Sequence, residues 1–363
     1  LLHFNTRVAE QLGLDPAVQH DPRFLAAFSG RQLLPGMEPI AMLYAGHQFG
    51  HYVRQLGDGR AILLGEISTA RGGRWELQLK GSGQTPYSRA GDGRAVLRSS
   101  IREYLAGEAL HGLGIPSTRA LCLIGTDDEV YREQIETGAM ITRVAPSHVR
   151  FGSFEVFYYR EQYNRIGTLA DYVIDTHYPE LAGAPDRYLR FLETVITRTA
   201  RLLAQWQAVG FAHGVMNTDN MSILGLTLDY GPYGFLDAYN PGFICNHSDH
   251  HGRYAFDRQP EIGLFNLSCL AQTLLPLIEV EAAQAALGRY WDEFTAHYHT
   301  LMAAKIGAAN SDARTLALLD ELLAQMQQSS VDYTLLFRAL GEVERDSNLP
   351  VTRLRDRFID RER

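Results

Sequence analysis

His213–Phe235 reads HGVMNTDNMSILGLTLDYGPYGF, and the order of its polar residues decides how the rest of the chain is read. His213-Gly214 is followed by Asn220, by a short apolar hairpin expected over Met221 to Leu228, and by Asp229-Tyr230-Gly231. Asn220 and Asp229 place two oxygen-bearing side chains on short turns. That donor set suits a hard divalent cation whose other positions go to phosphate oxygens and water. An Asx-Gly loop would use the same residues for turn geometry alone, so the order of the parts carries the reading. Val215 stands where a phosphoryl-transfer loop of this kind would carry an aspartate. Any chemistry on a nucleotide must then find another proton acceptor.

Upstream, Arg187 to Val209 reads as a helix that leads directly into this loop. Its residues Leu192, Val195, Ile196, Leu203 and Trp206 form a core-facing stripe. Earlier still the texture changes. Arg60 to Glu66 (RAILLGE) and Trp75 to Lys80 (WELQLK) read as strands, and Trp75, Leu77 and Leu79 alternate with Glu76, Gln78 and Lys80. Lys80 should therefore point away from the tryptophan face. Arg94 to Leu113 is expected to be one amphipathic helix with Leu97, Ile101, Leu105 and Leu110 inward, stopped by Gly112 and Gly114. Two strands follow around Ala120 to Ile124 and Ala139 to Val144, separated by an acidic turn at Thr126 to Glu129. Helices are expected from Phe151 onward, with a last amphipathic block over Glu281 to Leu323. The expected fold is α+β in two unequal lobes, residues 1–150 and 151–363.

Further candidates lie in the first lobe. Gln55 to Arg60 (QLGDGR) sets Gly57 and Gly59 before a strand, where absent side chains let backbone N–H groups approach a phosphate; a hairpin turn at Asp58-Gly59 is the plainer alternative. Lys80 on its strand and Glu103 on the next helix can form the ion pair that sets a phosphate-binding lysine. Surface pairs of this type are also common and weak. KGSGQTPYSRAGDG (80–93) is not a G-x-G-x-x-G sequence, because Pro86 occupies the last glycine position, so a dinucleotide fold is not supported. Arg143 and Arg150, in ITRVAPSHVRFG, flank a proline-containing connection and can make bidentate phosphate contacts, or stand as ordinary solvated arginines. The CNHSDHH cluster (245–251) crowds possible zinc ligands without the spacing for four on one ion, which favours a structural or substrate-loop role.

At 363 residues and 45% hydrophobic the chain can bury a core sized for two packed lobes. The formal charge of −8 argues against broad nucleic-acid or anionic-membrane binding. Three scattered cysteines suit a reducing compartment. No apolar run reaches the roughly 18 residues that cross a bilayer, and no secretory leader pattern opens the chain. A cytoplasmic setting is expected, with the mitochondrion left open for a eukaryotic source.

Four runs, YAGHQFGHYVRQLGDGRAILLGE (44–66), LQLKGSGQTPYSRAGDGRAVLRSSIREYLAGEAL (77–110), MITRVAPSHVRFGSFE (140–155) and GFAHGVMNTDNMSILGLTLDYGPYGFLD (210–237), closely resemble the selenoprotein O family of protein-kinase-like pseudokinases. The closing FRAL…FID segment continues the likeness. The resemblance implies a two-lobed kinase-like fold that binds ATP with Mg²⁺ in a flipped orientation. It also implies transfer of AMP to Ser, Thr or Tyr hydroxyls of proteins. Residue by residue, Gly57, Gly59 and Arg60 resemble the nucleotide loop, and Lys80 with Glu103 the phosphate-lysine pair. Asp92, Gly93, Arg143 and Arg150 resemble the pocket for the terminal phosphates. Asn220 and Asp229 resemble the metal ligands, Asp229 also touching the nucleotide, and Asp219 the proton acceptor. The sequence ends DRFIDRER, without the family's C-terminal redox cysteine or selenocysteine, so a truncated second lobe is expected.

Rival readings remain: the same site using UTP, with Mn²⁺; a silent nucleotide-binding scaffold; and a conventional small-molecule kinase. A pure scaffold does not need Lys80, Glu103, Asn220 and Asp229 together, and Val215 argues against the conventional kinase.

Overall fold

The structure is a computed structural model that describes residues 1–70, 72–343 and 354–358. The closing FID quoted above leaves the described residues after Phe358. The fold is mixed, with antiparallel sheets and eleven α-helices among the described residues. The chain divides into two compact units, one of Leu1–Phe191, Asn217–Tyr230 and Cys269–Leu277, the other of Leu192–Met216, Gly231–Ser268 and Ile278–Arg363.

The first unit carries the main sheet. It holds strands β1 (His3–Phe4), β2 (Gly46–Gln48), β3 (His51–Val53), β4 (Ala61–Ser68), β5 (Arg74–Lys80), β6 (Ala95–Val96), β7 (Arg119–Tyr131) and β8 (Ile135–Ala145). Its helices are α1 (Thr6–Gln11), α2 (Pro22–Phe28), α3 (Leu97–Gly112), α4 (Phe151–Tyr158) and α5 (Tyr163–His177). The sheet order is β1-β7-β8-β5-β4, with β6 also on β8, while β2 and β3 form a separate hairpin.

The alternation in β5 is as expected. Leu77 and Leu79 enter a core with Phe4, Val8, Phe24, Phe28, Leu121 and Val144, and Trp75 packs against it. Burying each such leucine stabilises the fold by about 1.5–3 kcal/mol. Glu76, Gln78 and Lys80 take the opposite face and are buried too. A strand buried on both faces with one face polar must pair those polar groups.

Three expectations change. The helix expected from Arg94 begins at Leu97, because Ala95 and Val96 pair with Ala139 and Gly138 of β8. Its inward face is also different: Ile101 and Leu105 are exposed, whereas Ser100, Glu103, Ala106, Gly107 and Leu110 are buried. Small residues face inward because a Cβ at Gly107 would lie 2.8 Å from the Thr118 carbonyl oxygen. The acidic stretch Thr126 to Glu129 is not the turn; β7 runs through it with a register shift between Gly125 and Glu129, and the chain reverses at Arg132 to Gln134. The Met221–Leu228 stretch is not a self-paired hairpin. Ser222 bridges Arg150, and Thr227 bridges Ser117.

The second unit is mainly helical. The stripe expected on α6 (Arg187–Val209) is buried throughout, from Leu192 to Trp206. The helix stops at Gly210, whose φ of +72° is the left-handed conformation that glycine adopts most easily. Strands β9 (Phe211–Ala212) and β10 (Gly234–Phe235) pair after it. There follow α7 (Gln259–Leu274), α8 (Val280–Gly288), α9 (Tyr290–Lys305), α10 (Ala313–Gln328) and α11 (Tyr333–Leu340). The expected last block is thus three helices, and Met302, Leu319, Met326, Tyr333 and Phe337 pack one core. Among the described residues no helix is long and apolar enough to cross a membrane.

Candidate functional site

The polar face of β5 is where the expected residues meet. Lys80 Nζ donates to Glu103 Oε2 at 2.5 Å, so the strand-to-helix pair is formed. The other oxygen of Glu103 accepts from Arg143 Nε, on β8 beside β5. Arg143 Nη2 lies 2.8 Å from Asp229 Oδ1, and Arg150 Nη1 donates to Asp229 Oδ2. Five residues from four separate stretches of chain thus form one continuous ionic chain. Asp229 reaches it from a backbone with φ of +59°, a conformation rarely adopted by residues with a side chain.

Burial and the neighbouring charges pull against one another in this network. Burial lowers Lys80 to about 8, with Arg143 adding to the effect and Glu103 opposing it. Burial would raise Glu103, but Arg143 and Lys80 outweigh it and bring the carboxyl down to about 2. In the same way Arg150, Arg143 and Lys80 overcome burial at Asp229 and hold it far below the usual carboxylate range. Removing one member would leave an uncompensated buried charge, which costs more than the pair contributes.

Asp58, read from sequence only as a turn residue, belongs to this cluster. It is buried and accepts from Tyr44 Oη at 3.1 Å, Gln78 Nε2 at 2.9 Å and the Met42 N–H at 3.3 Å. Gln78 in turn accepts from Arg143 Nη1 at 3.0 Å, and the Tyr44 ring lies 4.6 Å from the Arg150 guanidinium carbon. The only sequence signal was the placement of Gln78 on the Lys80 face.

Thr218–Asn220 forms a short 3₁₀ turn next to Arg150. Arg150 Nη1 donates to the Asp219 main-chain oxygen at 2.7 Å. The Asp219 carboxyl is buried, and burial pushes it up to about 7 against the opposing effects of Arg150 and a bond from Gln48. Asn220 is half-buried on the same turn. Asn220 and Asp229 offer an amide oxygen and a carboxylate, hard donors of the kind Mg²⁺ takes together with phosphate.

The glycine loop is held by a neighbouring segment. Gly57 has φ of +125°, and a Cβ there would meet the Tyr87 ring at 2.5 Å; one at Gly59 would lie 2.9 Å from the Tyr87 carbonyl oxygen. Thr85 Oγ1 donates to the Asp58 carbonyl at 2.6 Å, fastening the two loops. Arg60 is exposed, and its carbonyl accepts from the Gly81 N–H at 2.8 Å. Asp92 is exposed and bound through both oxygens by Arg132, at 2.8 and 3.0 Å. Gly93 packs so closely on Gly83 that a side chain would collide with that backbone.

The CNHSDHH segment does structural work. Asp249 accepts from the Arg253 and Tyr254 N–H groups at 2.9 and 2.7 Å, and Asn246 Nδ2 donates to the Gly214 carbonyl at 2.9 Å. Among the described residues the metal-type cluster is elsewhere, at His47, Glu155 and Cys269, whose ligand atoms lie within 4.8 Å of one another. Its Glu155 already accepts from Thr218 Oγ1 at 2.6 Å and contacts His47 Nδ1 at 2.7 Å.

Comparison with known proteins bears on this geometry. Residues 1–354 match the family model described as protein adenylyltransferase SelO. A protein nucleotidyltransferase YdiU of Myxococcus xanthus is 58% identical over 358 residues, covering 99% of this chain and 73% of that protein. Its counterpart in Thioalkalivibrio sulfidiphilus is 60% identical over 353 residues, covering 96% and 72%. That of Thiobacillus denitrificans is 57% identical over 361 residues, covering 99% and 74%.

Proposed function

The chain belongs to the SelO family of protein adenylyltransferases, and on that premise we propose how its residues transfer AMP from ATP to Ser, Thr or Tyr hydroxyls of proteins. The observation that carries the reading is the single network joining Lys80, Glu103, Arg143, Asp229 and Arg150 beside the Asp219 turn. Its three cations are matched to the terminal phosphates of a nucleotide bound in the flipped sense, with the α-phosphorus toward the acceptor. Gly57, Gly59, Arg60, Asp92 and Gly93 complete the nucleotide pocket in this proposal.

Asn220 and Asp229 would hold Mg²⁺, which supplies charge neutralisation for the phosphates. To hold it, Asp229 would have to give up its contacts with Arg143 and Arg150, whose guanidiniums would then be free for phosphate oxygens. The acceptor hydroxyl oxygen attacks the α-phosphorus. The new P–O bond forms as the bond to the β-phosphate bridging oxygen breaks, and pyrophosphate leaves. Asp219 takes the hydroxyl proton in the place that Val215 leaves without a carboxylate. Lys80, Arg143 and Arg150 meet the charge that develops on pyrophosphate, where preorganised donors contribute most.

The two-lobed kinase-like architecture, with lobes of residues 1–150 and 151–363, and a cytoplasmic setting belong to the same proposal. The sheet with its Lys80–Glu103 pair supports the architecture; the three cysteines, present as thiols, support the setting. A second reading, UTP with Mn²⁺ in the same site, is favoured by one observation: the curated relatives carry the broader name nucleotidyltransferase. The test is transfer from α-labelled and γ-labelled ATP in parallel with α-labelled UTP. Label from α-ATP alone, with an intact-mass gain of AMP, is expected. Covalent γ-label alone would overturn the flipped nucleotide, and transfer only from UTP would select the second reading.

A further inference from the structure

The motif GHQFGH (46–51) forms the β2–β3 hairpin and has no part in the chemistry described so far. We propose that Gln48 is a positioning residue that holds the Asp219 carboxylate in place for proton transfer. This rests on the reading of Asp219 as proton acceptor.

The hairpin docks on the Asn217–Asp219 segment through successive contacts. The His47 N–H donates to Thr218 Oγ1 at 2.7 Å, Gln48 Nε2 to Asp219 Oδ2 at 3.2 Å, and the Phe49 N–H to Asn217 Oδ1 at 3.3 Å. Three consecutive residues of one segment thus meet three consecutive residues of the other. Close approach is possible because position 46 is glycine: a Cβ there would lie 2.9 Å from Asp219 Oδ1 and 3.0 Å from Thr218 Oγ1. The Ala45 N–H also donates to the Gly152 carbonyl at 3.0 Å, so the hairpin is anchored at its base.

The turn itself is costly. Gln48 pairs with His51, so Phe49 and Gly50 are the two-residue loop, with φ of +50° and +84°. Asn, Asp or Gly normally fills the first of these positions, and a bulky aromatic there stores strain. The conformation aims the Phe49 N–H at Asn217, so the strain is tied to docking.

Gln48 differs from its neighbours in what it touches. His47 and Phe49 engage the turn through backbone N–H groups, whereas Gln48 alone of the three places a side-chain donor on the carboxylate. Its bond to Oδ2 sets the carboxyl rotamer, with Oδ1 buried and without a hydrogen-bond partner. An amide donor can fix that rotamer; a methylene chain of equal length cannot.

The test compares the wild-type chain with Q48M, Q48A, D219N and Q48M/D219N. Pyrophosphate release from Mg-ATP is measured with casein and the chain itself as acceptors, and Mg-ATP affinity by calorimetry. Q48M should lose about tenfold in kcat, the scale of one hydrogen bond to a charged group, with KM for ATP and the calorimetric affinity unchanged. In the D219N background Q48M should cost nothing more, because the two residues act as one unit. Q48A reports the same loss with less bulk, should methionine disturb the hairpin. A fully active Q48M beside a slow D219N overturns this inference alone, as does a loss in affinity matching the loss in rate. A fully active D219N overturns the proton-acceptor reading and this inference with it.

Discussion

Arg150 Nη1 lies 2.7 Å from the main-chain oxygen of Asp219, so the arginine assigned to the terminal phosphates also fixes the backbone of the proposed proton acceptor. The same nitrogen donates to Asp229. Arg143 instead bonds Glu103 and Gln78 and pairs with Asp229. The two arginines should therefore fail differently. Either alanine variant should cost about tenfold or more in kcat/KM, on the scale of contacts to charged groups. Arg150→Ala should lower kcat as well, whereas Arg143→Ala should act chiefly through KM for ATP. Steady-state kinetics over an ATP series separates the two, and Arg150→Lys should not restore kcat, since the lysine nitrogen ends one bond short of the Nη1 position and has no planar group to lie over Tyr44.

Asp229→Ala should abolish Mg²⁺-dependent nucleotide binding. It also leaves the Arg143 and Arg150 guanidiniums without their shared carboxylate. His250→Ala should leave metal-dependent binding intact, because His250 is exposed in the structural CNHSDHH segment. Calorimetry with ATP and Mg²⁺ on both variants checks the pair, and undiminished binding by Asp229→Ala would refute the ligand assignment.

Glu103 should write itself into the acid limb of stability. Its folded value, brought down to about 2 by Arg143 and Lys80 against burial, lies below the ordinary value of 4.5. A lowered carboxyl contributes stability that is present above the unfolded value and lost as pH falls through the folded one. The window therefore runs from about pH 4.5 down to about pH 2. Glu103→Gln should be less stable at pH 7, since Lys80 and Arg143 lose their counter-charge, and its stability should fall less steeply across that window. Urea titrations at successive pH values measure both effects.

Cys122 should resist alkylation. Burial pushes its thiol up to about 12, leaving little thiolate at pH 8. Cys245 is half-buried and should take up iodoacetamide first. Mass mapping after a short exposure at pH 8 gives the order, and Cys122 modified before Cys245 in the folded protein would contradict the packing.

Local pattern was legible where one physical rule acts alone. The alternation of WELQLK fixes which face of β5 is apolar, because successive strand side chains point to opposite sides. The stripe on Arg187–Val209 follows from the period of a helix and appears intact. The same reasoning misjudged α3, where Ile101 and Leu105 lie outside and Ser100, Glu103 and Gly107 inside. Hydrophobicity predicts a buried face only when that face meets an apolar surface; here it meets Lys80, Arg143 and the close Thr118 backbone.

The order of the polar residues, from Lys80 and Glu103 through Arg143 and Arg150 to Asn220 and Asp229, is written along the chain, and the family likeness comes with it. Folding in three dimensions is what sets Asp229 between both arginines, Asp58 beneath the cluster through Tyr44 and Gln78, and Gln48 on Asp219. The reason is physical. Propensity and periodicity act over a few neighbouring residues, whereas a buried charge is stable only beside its partner, and Gln48 finds Asp219 across 171 positions of chain.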